Sequence, residues 1–144
     1  MITLDDFLVR PYASDDFVAV KRNLQDGALF DPDVDSPEQW ARLIAHDERA
    51  ILVGEYDRDV VANVFVIFNP WFSSIWHLAV RKEFRGAGIG KVLMQEAERS
   101  IIERGGRYAS LYVKTSSQGL IKYYGEQGYS SWPEQILNLN KKLP

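Results

Sequence analysis

The chain has 144 residues, 46% of them hydrophobic, with 17 Lys+Arg against 20 Asp+Glu and a formal charge of −3. A chain of this length buries roughly 68–70% of its unfolded surface, so one core suffices without disulfide or metal. Cysteine is absent, which excludes a disulfide scaffold, a Cys-ligated zinc or iron–sulfur site and a thiol nucleophile.

The chain opens Met-Ile-Thr-Leu-Asp-Asp, acidic where a signal peptide is basic, so a cytoplasmic protein is expected. Phe7 to Tyr12 reads as a first strand. Ser14-Asp15-Asp16 places acids at the positive end of a helix through about Leu29, with Gly27 as an earlier stop. Asp31-Pro32-Asp33 is turn chemistry, and Ser36-Pro37-Glu38 supplies an N-cap and a first-turn proline for a second helix through about Asp47. Ile51 to Tyr56 and Val60 to Phe68 are strands flanking a hairpin turn at Asp57-Arg58-Asp59. The run Val60–Phe68, interrupted by Asn63, is the longest apolar stretch; it falls far short of the 18 or so residues of a membrane span, so no membrane partner is expected. Asn69-Pro70 leads to a fourth strand, Ser73 to Val80, completing an antiparallel meander.

A glycine cluster then opens an amphipathic helix with Ile89, Val92, Leu93, Ala97 and Ile101 on one face, stopped by Gly105-Gly106. Tyr108 to Val113 reads as a fifth strand, about Gly119 to Gln127 as a short helix ending at Gly128, and Ile136 to Leu143 as a last strand with Lys141-Lys142 at its charged end. No linker, repeat or low-complexity run interrupts this order, so residues 1–144 are expected to form a single domain of the α/β class with a mixed sheet. The mildly acidic balance, with no Lys/Arg block, argues against a nucleic-acid partner.

Arg85-Gly86-Ala87-Gly88-Ile89-Gly90-Lys91 sets three glycines and two cations where a strand passes into a helix. The first helical turn leaves N–H groups without partners and carries partial positive charge, and glycines admit close approach of a bulky anion, so this loop is a candidate phosphate site. A tight turn that only packs is the plainer alternative, but it needs one glycine. The triphosphatase pattern fails, since Arg85 stands at its first glycine and Val92 follows Lys91; the dinucleotide fingerprint fails as well, with Lys91 or Leu93 at its last glycine. What does fit is Arg-x-x-Gly-x-Gly at Arg85, Gly88 and Gly90. With Leu78-Ala79-Val80 on the preceding strand and Tyr124-Gly125-Glu126-Gln127-Gly128-Tyr129 further on, the chain resembles the GNAT superfamily of acyl-CoA-dependent N-acyltransferases. The likeness is specific over roughly 74–130, while the element order follows that of the family throughout.

The resemblance implies a central, mostly antiparallel sheet splayed between strands 4 and 5 and flanked by helices, with acetyl-CoA as acyl donor and a primary amine, of a small molecule or a protein, as acceptor. Leu78, Ala79 and Val80 would then meet pantetheine through main chain. The backbone of Arg85, Gly86, Ala87, Gly88, Ile89, Gly90 and Lys91 would hold the pyrophosphate, with Arg81, Lys82, Arg85 and Lys91 as charge partners. Tyr124 is the expected acid for the leaving thiolate, because a phenol is protonated at neutral pH. Its spacing to Gly128 selects it over Tyr123. His77, on the fourth strand, is the candidate base, since an unperturbed imidazole titrates near neutrality; a hydrogen-bonded core histidine is the other reading. Glu55 is the reserve. Ser116-Ser117 and Leu120 depart from the family's usual Asn and Ala, so Ser117 would offer pantetheine one hydroxyl in place of an amide.

Other readings stay open. A non-catalytic acyl-CoA-binding sensor or partner module would use the same loop, and a nucleoside triphosphate binder would need the pattern that fails. Trp40, Trp71, Phe72 and Trp76 line an acceptor cleft or else belong to core or dimer surface. Asp31, Asp33 and Asp35 are read as solvated turn residues, with attraction of a cationic amine as the alternative. His46-Asp47-Glu48 lacks ligand spacing, so no metal is expected; no Gly-x-Ser-x-Gly exists for serine hydrolysis. Acceptor identity, acyl preference and oligomeric state, a homodimer included, are not written in the sequence.

Overall fold

A computed structural model describes residues 2–134 and 136–144, and the chain divides into two compact units, Met1–Leu111 and Tyr112–Pro144. The first holds β1 (Phe7–Pro11), α1 (Phe17–Asp26), α2 (Pro37–His46), β2 (Ile51–Tyr56), β3 (Asp59–Ile67), β4 (Ser73–Val80), α3 (Ile89–Glu103) and β5 (Ala109–Ser110). Its five strands form one mixed sheet in the order β1-β2-β3-β4-β5, antiparallel through β4, with β5 parallel to β4.

Local chemistry accounts for most boundaries. Ser36 caps α2 by accepting the Gln39 N–H at 3.1 Å, with Pro37 in the first turn. The first helix stops at Asp26, with Gly27 as its C-cap and Ala28 at φ 55°, so the earlier of the two stops is the one used. Asp57 and Arg58 both take positive φ, 50° and 63°, which makes the β2–β3 connection a two-residue turn whose twist matches its strands. Strand β3 is buried from Val60 to Val66, as its unbroken apolar run predicts for a central strand. Val20 and Leu24 of α1 and Trp40 of α2 pack with Ile51, Val53, Phe65 and Ala79 of the sheet. Helix α3 buries Ile89, Leu93, Met94, Ala97 and Ile101. No helix among the described residues is long and apolar enough to cross a membrane.

Two strands of this unit, β5 and β4, differ from a regular ladder. The fifth pairs only through Ser73↔Ala109 and Ser74↔Ser110, and the expected length Tyr108–Val113 is not reached. Past Ser74, β4 runs into a bulge: its register against β3 slips by one residue between Asn63↔Ala79 and Phe65↔Trp76. A bulge bends its strand and ends pairing beyond it. The sheet is splayed past Ser74, where β4 and β5 no longer pair.

The second unit contains α4 (Gln118–Gly125), followed by Gly128 at φ 95°. The strand expected over Ile136–Leu143 does not form, and Ile136, Leu137, Leu139 and Leu143 are exposed. Alternation makes one face apolar, but a strand also needs a neighbour's backbone, and this unit has no other strand among its described residues.

Candidate active site

The β4–α3 connection is built for a bare helix start. A 3₁₀ turn (Lys82–Phe84) is followed by Arg85 in extended conformation, then Gly86 at φ 83° and Gly88 at φ 87°, and α3 begins at Ile89. A Cβ on Gly86 would meet nothing within 4 Å, so glycine is there for the left-handed backbone and not for lack of room. The first bond of the helix runs from Val92 N–H to Gly88 C=O at 3.2 Å, and no side chain caps it. The N–H groups of Ile89, Gly90 and Lys91 therefore lack intrahelical acceptors, at the positive end of a helix of 15 residues. Such an end, with exposed Lys91 beside it, can take a phosphate.

The neighbouring cations are not equivalent. Arg85 is half-exposed and donates from Nε to Val80 C=O at 2.8 Å, with Asp26 at 3.9 Å from its Nη2. Lys82 is exposed, and its N–H donates to Asp26. Arg81 is corrected as a charge partner: only 4% exposed, its guanidinium is used by Asp59, by Val60 C=O and by Asn23. A buried guanidinium is held by such partners, since it has five donors and cannot shed its proton.

Main-chain groups along β4 sort by alternation. The Arg81 N–H bonds Val61 C=O at 2.8 Å, so two residues back Ala79 also turns to β3, opposite Asn63. The N–H and C=O of Leu78 and Val80 then point to the other edge, where β5 does not follow. Of the three expected pantetheine contacts, Leu78 and Val80 face the open edge, with Val80 C=O engaged by Arg85, and Ala79 is committed to the sheet.

His77 sits in the bulge at φ 52°, a backbone conformation few non-glycine residues adopt. Its C=O accepts from Asn63 Nδ2 at 2.8 Å, its ring meets Phe65 edge-on at 5.0 Å, and its Nε2 lies 3.2 Å from Asp35 Oδ2. Asp35 is 5% exposed and also accepts from Trp40 Nε1 at 3.1 Å and from Asp31 N–H at 2.9 Å. The reading of Asp35 as a solvated turn residue is thus overturned: two N–H donors and the His77 ring surround its carboxylate. Glu55, the reserve base, lies on β2 in an ion pair with Arg10 at 2.9 Å. Trp40 belongs to the core, between Tyr12, Phe17 and Phe65.

In the second unit, Tyr124 is half-buried, with its ring against Tyr123 at 5.1 Å and Tyr129 at 6.0 Å. Burial, and secondarily the neighbouring Tyr123, pushes its phenol up to about 12. Ser117 is the N-cap residue of α4, its N–H on Lys114 C=O at 2.8 Å.

The family model described as the acetyltransferase (GNAT) family matches residues 14–129. The chain belongs to that family. An acetyltransferase of Pectobacterium atrosepticum is 28% identical over 135 residues, covering 94% of each chain. Among solved structures, this GNAT acetyltransferase is similar to Ard1 of Thermoplasma volcanium, with a TM-score of 0.76, 20% identity and 87% and 83% of the two chains covered. It is also similar to an aminoglycoside acetyltransferase from an uncultured soil sample, with a TM-score of 0.74, 15% identity and 97% and 98% covered. The PaiA N-acetyltransferase of Thermoplasma acidophilum, solved with coenzyme A, gives a TM-score of 0.69 at 19% identity, with 83% and 87% covered.

Surface aromatics of this GNAT chain cluster at the β3–β4 turn. Trp71 is 84% exposed, Phe72 stacks on Tyr108 at 5.6 Å, and Trp76 donates from Nε1 to Ser74 Oγ. The contact between Asp35 and His77 is not visible in the sequence, since 42 residues separate them and only packing of the α1–α2 connection brings them together.

Proposed function

We propose that residues 1–144 act as one acyltransferase domain that moves an acetyl group from acetyl-CoA to a primary amine by direct attack. The family match crosses from one compact unit into the other, which supports reading the chain as one domain. The observation that carries the reading is the uncapped start of α3 behind Gly86 and Gly88, adjoining a β4 edge that β5 leaves open. In this reading the amides of residues 86–91 hold the pyrophosphate with Lys91 and Arg85, and Leu78 and Val80 pair with pantetheine. Ser117 adds a hydroxyl to the pantetheine contacts. The amine nitrogen forms a bond to the thioester carbonyl carbon, the C–S bond breaks, His77 takes the amine proton and Tyr124 protonates the thiolate.

The test is thiol release from acetyl-CoA with a panel of an alkylamine, an arylalkylamine, a polyamine, an amino sugar and a peptide with a free N-terminus. Release with at least one amine is expected, together with heat of binding for coenzyme A in calorimetry. A folded protein that gives no heat with coenzyme A overturns the reading.

A further inference from the structure

The geometry points to Asp35 as a positioning residue that holds His77 in the tautomer protonated at Nε2, leaving the lone pair of Nδ1 to accept the amine proton. The inference rests on His77 being the base of the reaction proposed above. Asp35 already receives the Trp40 indole N–H on Oδ1 and the Asp31 N–H on Oδ2. A carboxylate with two such donors offers further acceptor capacity and no proton, so the imidazole nitrogen 3.2 Å from Oδ2 is placed as a third donor. Neutral imidazole has one donor and one acceptor, so a donating Nε2 makes Nδ1 the acceptor.

The backbone independently fixes where the imidazole stands. His77 keeps φ 52° in a bulge, and its carbonyl is pinned by Asn63, whose own amide oxygen lies 3.2 Å from the Asn23 amide. A residue held in this sparse region persists only where its surroundings over-determine it. Three separate groups, Asn63, Phe65 and Asp35, fix the carbonyl, the ring edge and the ring nitrogen. Strand β4 has no other titratable side chain, Asp59 of β3 is spent on Arg81, and Asp26 of α1 lies against Lys82 and Arg85, so Asp35 is the charged group in contact with the imidazole among the described residues.

The experiment has two arms. Nitrogen-15 NMR of the full unsubstituted chain, with His46→Gln to assign the two histidines, is expected to show neutral His77 protonated at Nε2; protonation at Nδ1 would overturn the inference without any variant of the pair. Asp35→Asn is then expected to lose that single tautomer and to lower kcat at least about tenfold, with the Kd for coenzyme A unchanged, using the panel amine that releases thiol fastest. Full kcat in folded Asp35→Asn alongside a loss in His77→Gln would overturn the role of Asp35 alone. Full kcat in His77→Gln would remove the base assignment and the inference with it.

Discussion

Tyr124 shows how one side chain is set for its proposed task. Burial first, and the adjacent Tyr123 second, push its phenol up to about 12, so it stays protonated through the range in which a thiolate needs a proton. Tyr123 is also raised, chiefly by burial, while its contact with Gln127 works the other way. The pair therefore differs in degree, and the residue spaced four positions from Gly128 is the more strongly shifted. Replacing Tyr124 with Phe keeps the ring contacts with Tyr123 and Tyr129 and removes only the hydroxyl. Tyr124→Phe is expected to lower kcat by roughly tenfold or more, with little change in the calorimetric Kd for coenzyme A. Equal kcat in the two proteins would return Tyr124 to a packing role.

At the scale of elements, the bulged strand β4 decides the site. The extra residue breaks the register between Trp76 and Ala79, past the point where β5 last pairs with β4. Asn63, wholly buried on β3, holds this arrangement by donating to His77 C=O, and it also meets Asn23 of α1. Asn63→Ala leaves both groups without that partner, and we expect a loss of about 1–3 kcal/mol in urea unfolding. A fall in kcat beyond what the remaining folded fraction explains should accompany it. Wild-type unfolding and kcat in that variant would mean the bulge holds itself. The contrast between loop and bulge also explains what was legible beforehand. The glycine loop could be read from residues because left-handed turns and bare helix ends are local chemistry at Gly86, Gly88 and Ile89. The β2–β3 turn and the N-cap at Ser36 were legible for the same reason. The bulge at His77, the buried state of Asp35 and the inward turn of Arg81 depend on partners 14, 42 and 22 residues away in sequence, which no local pattern encodes. The alternation over Ile136–Leu143 misleads in the opposite direction, because a local pattern exists there without a neighbouring strand.

For the molecule as a whole, one ion cluster at the edge of the sheet contributes to stability against acid. Arg10 of β1 donates to both oxygens of Asp16 at 2.8 and 2.9 Å and to Glu55 of β2 at 2.9 Å, so it ties two strands to the entry of α1. Burial disfavours the charge on Asp16, but the hydrogen bonds from Arg10 and from Ala13 N–H outweigh it and hold the carboxyl below its ordinary range. A folded value below the unfolded one, near 3.9, means the contribution is complete above that pH and disappears as pH falls through the folded value. Tyr12 sets the opposite limit. Burial, aided by Asp16, pushes its phenol up to about 12, so its contribution is complete below about 10 and is lost as pH rises from there. Asp16→Asn is expected to cost roughly 1.5–3 kcal/mol at pH 7 in urea unfolding. The same variant should lose less stability than the wild type between pH 5 and pH 2, and, because the Asp16 charge also helps to raise Tyr12, its fall between pH 9 and pH 12 should be slightly shallower as well. If both proteins weakened equally on acidification, the acid sensitivity would lie with other carboxylates, and the Arg10 cluster would be an ordinary surface ion pair.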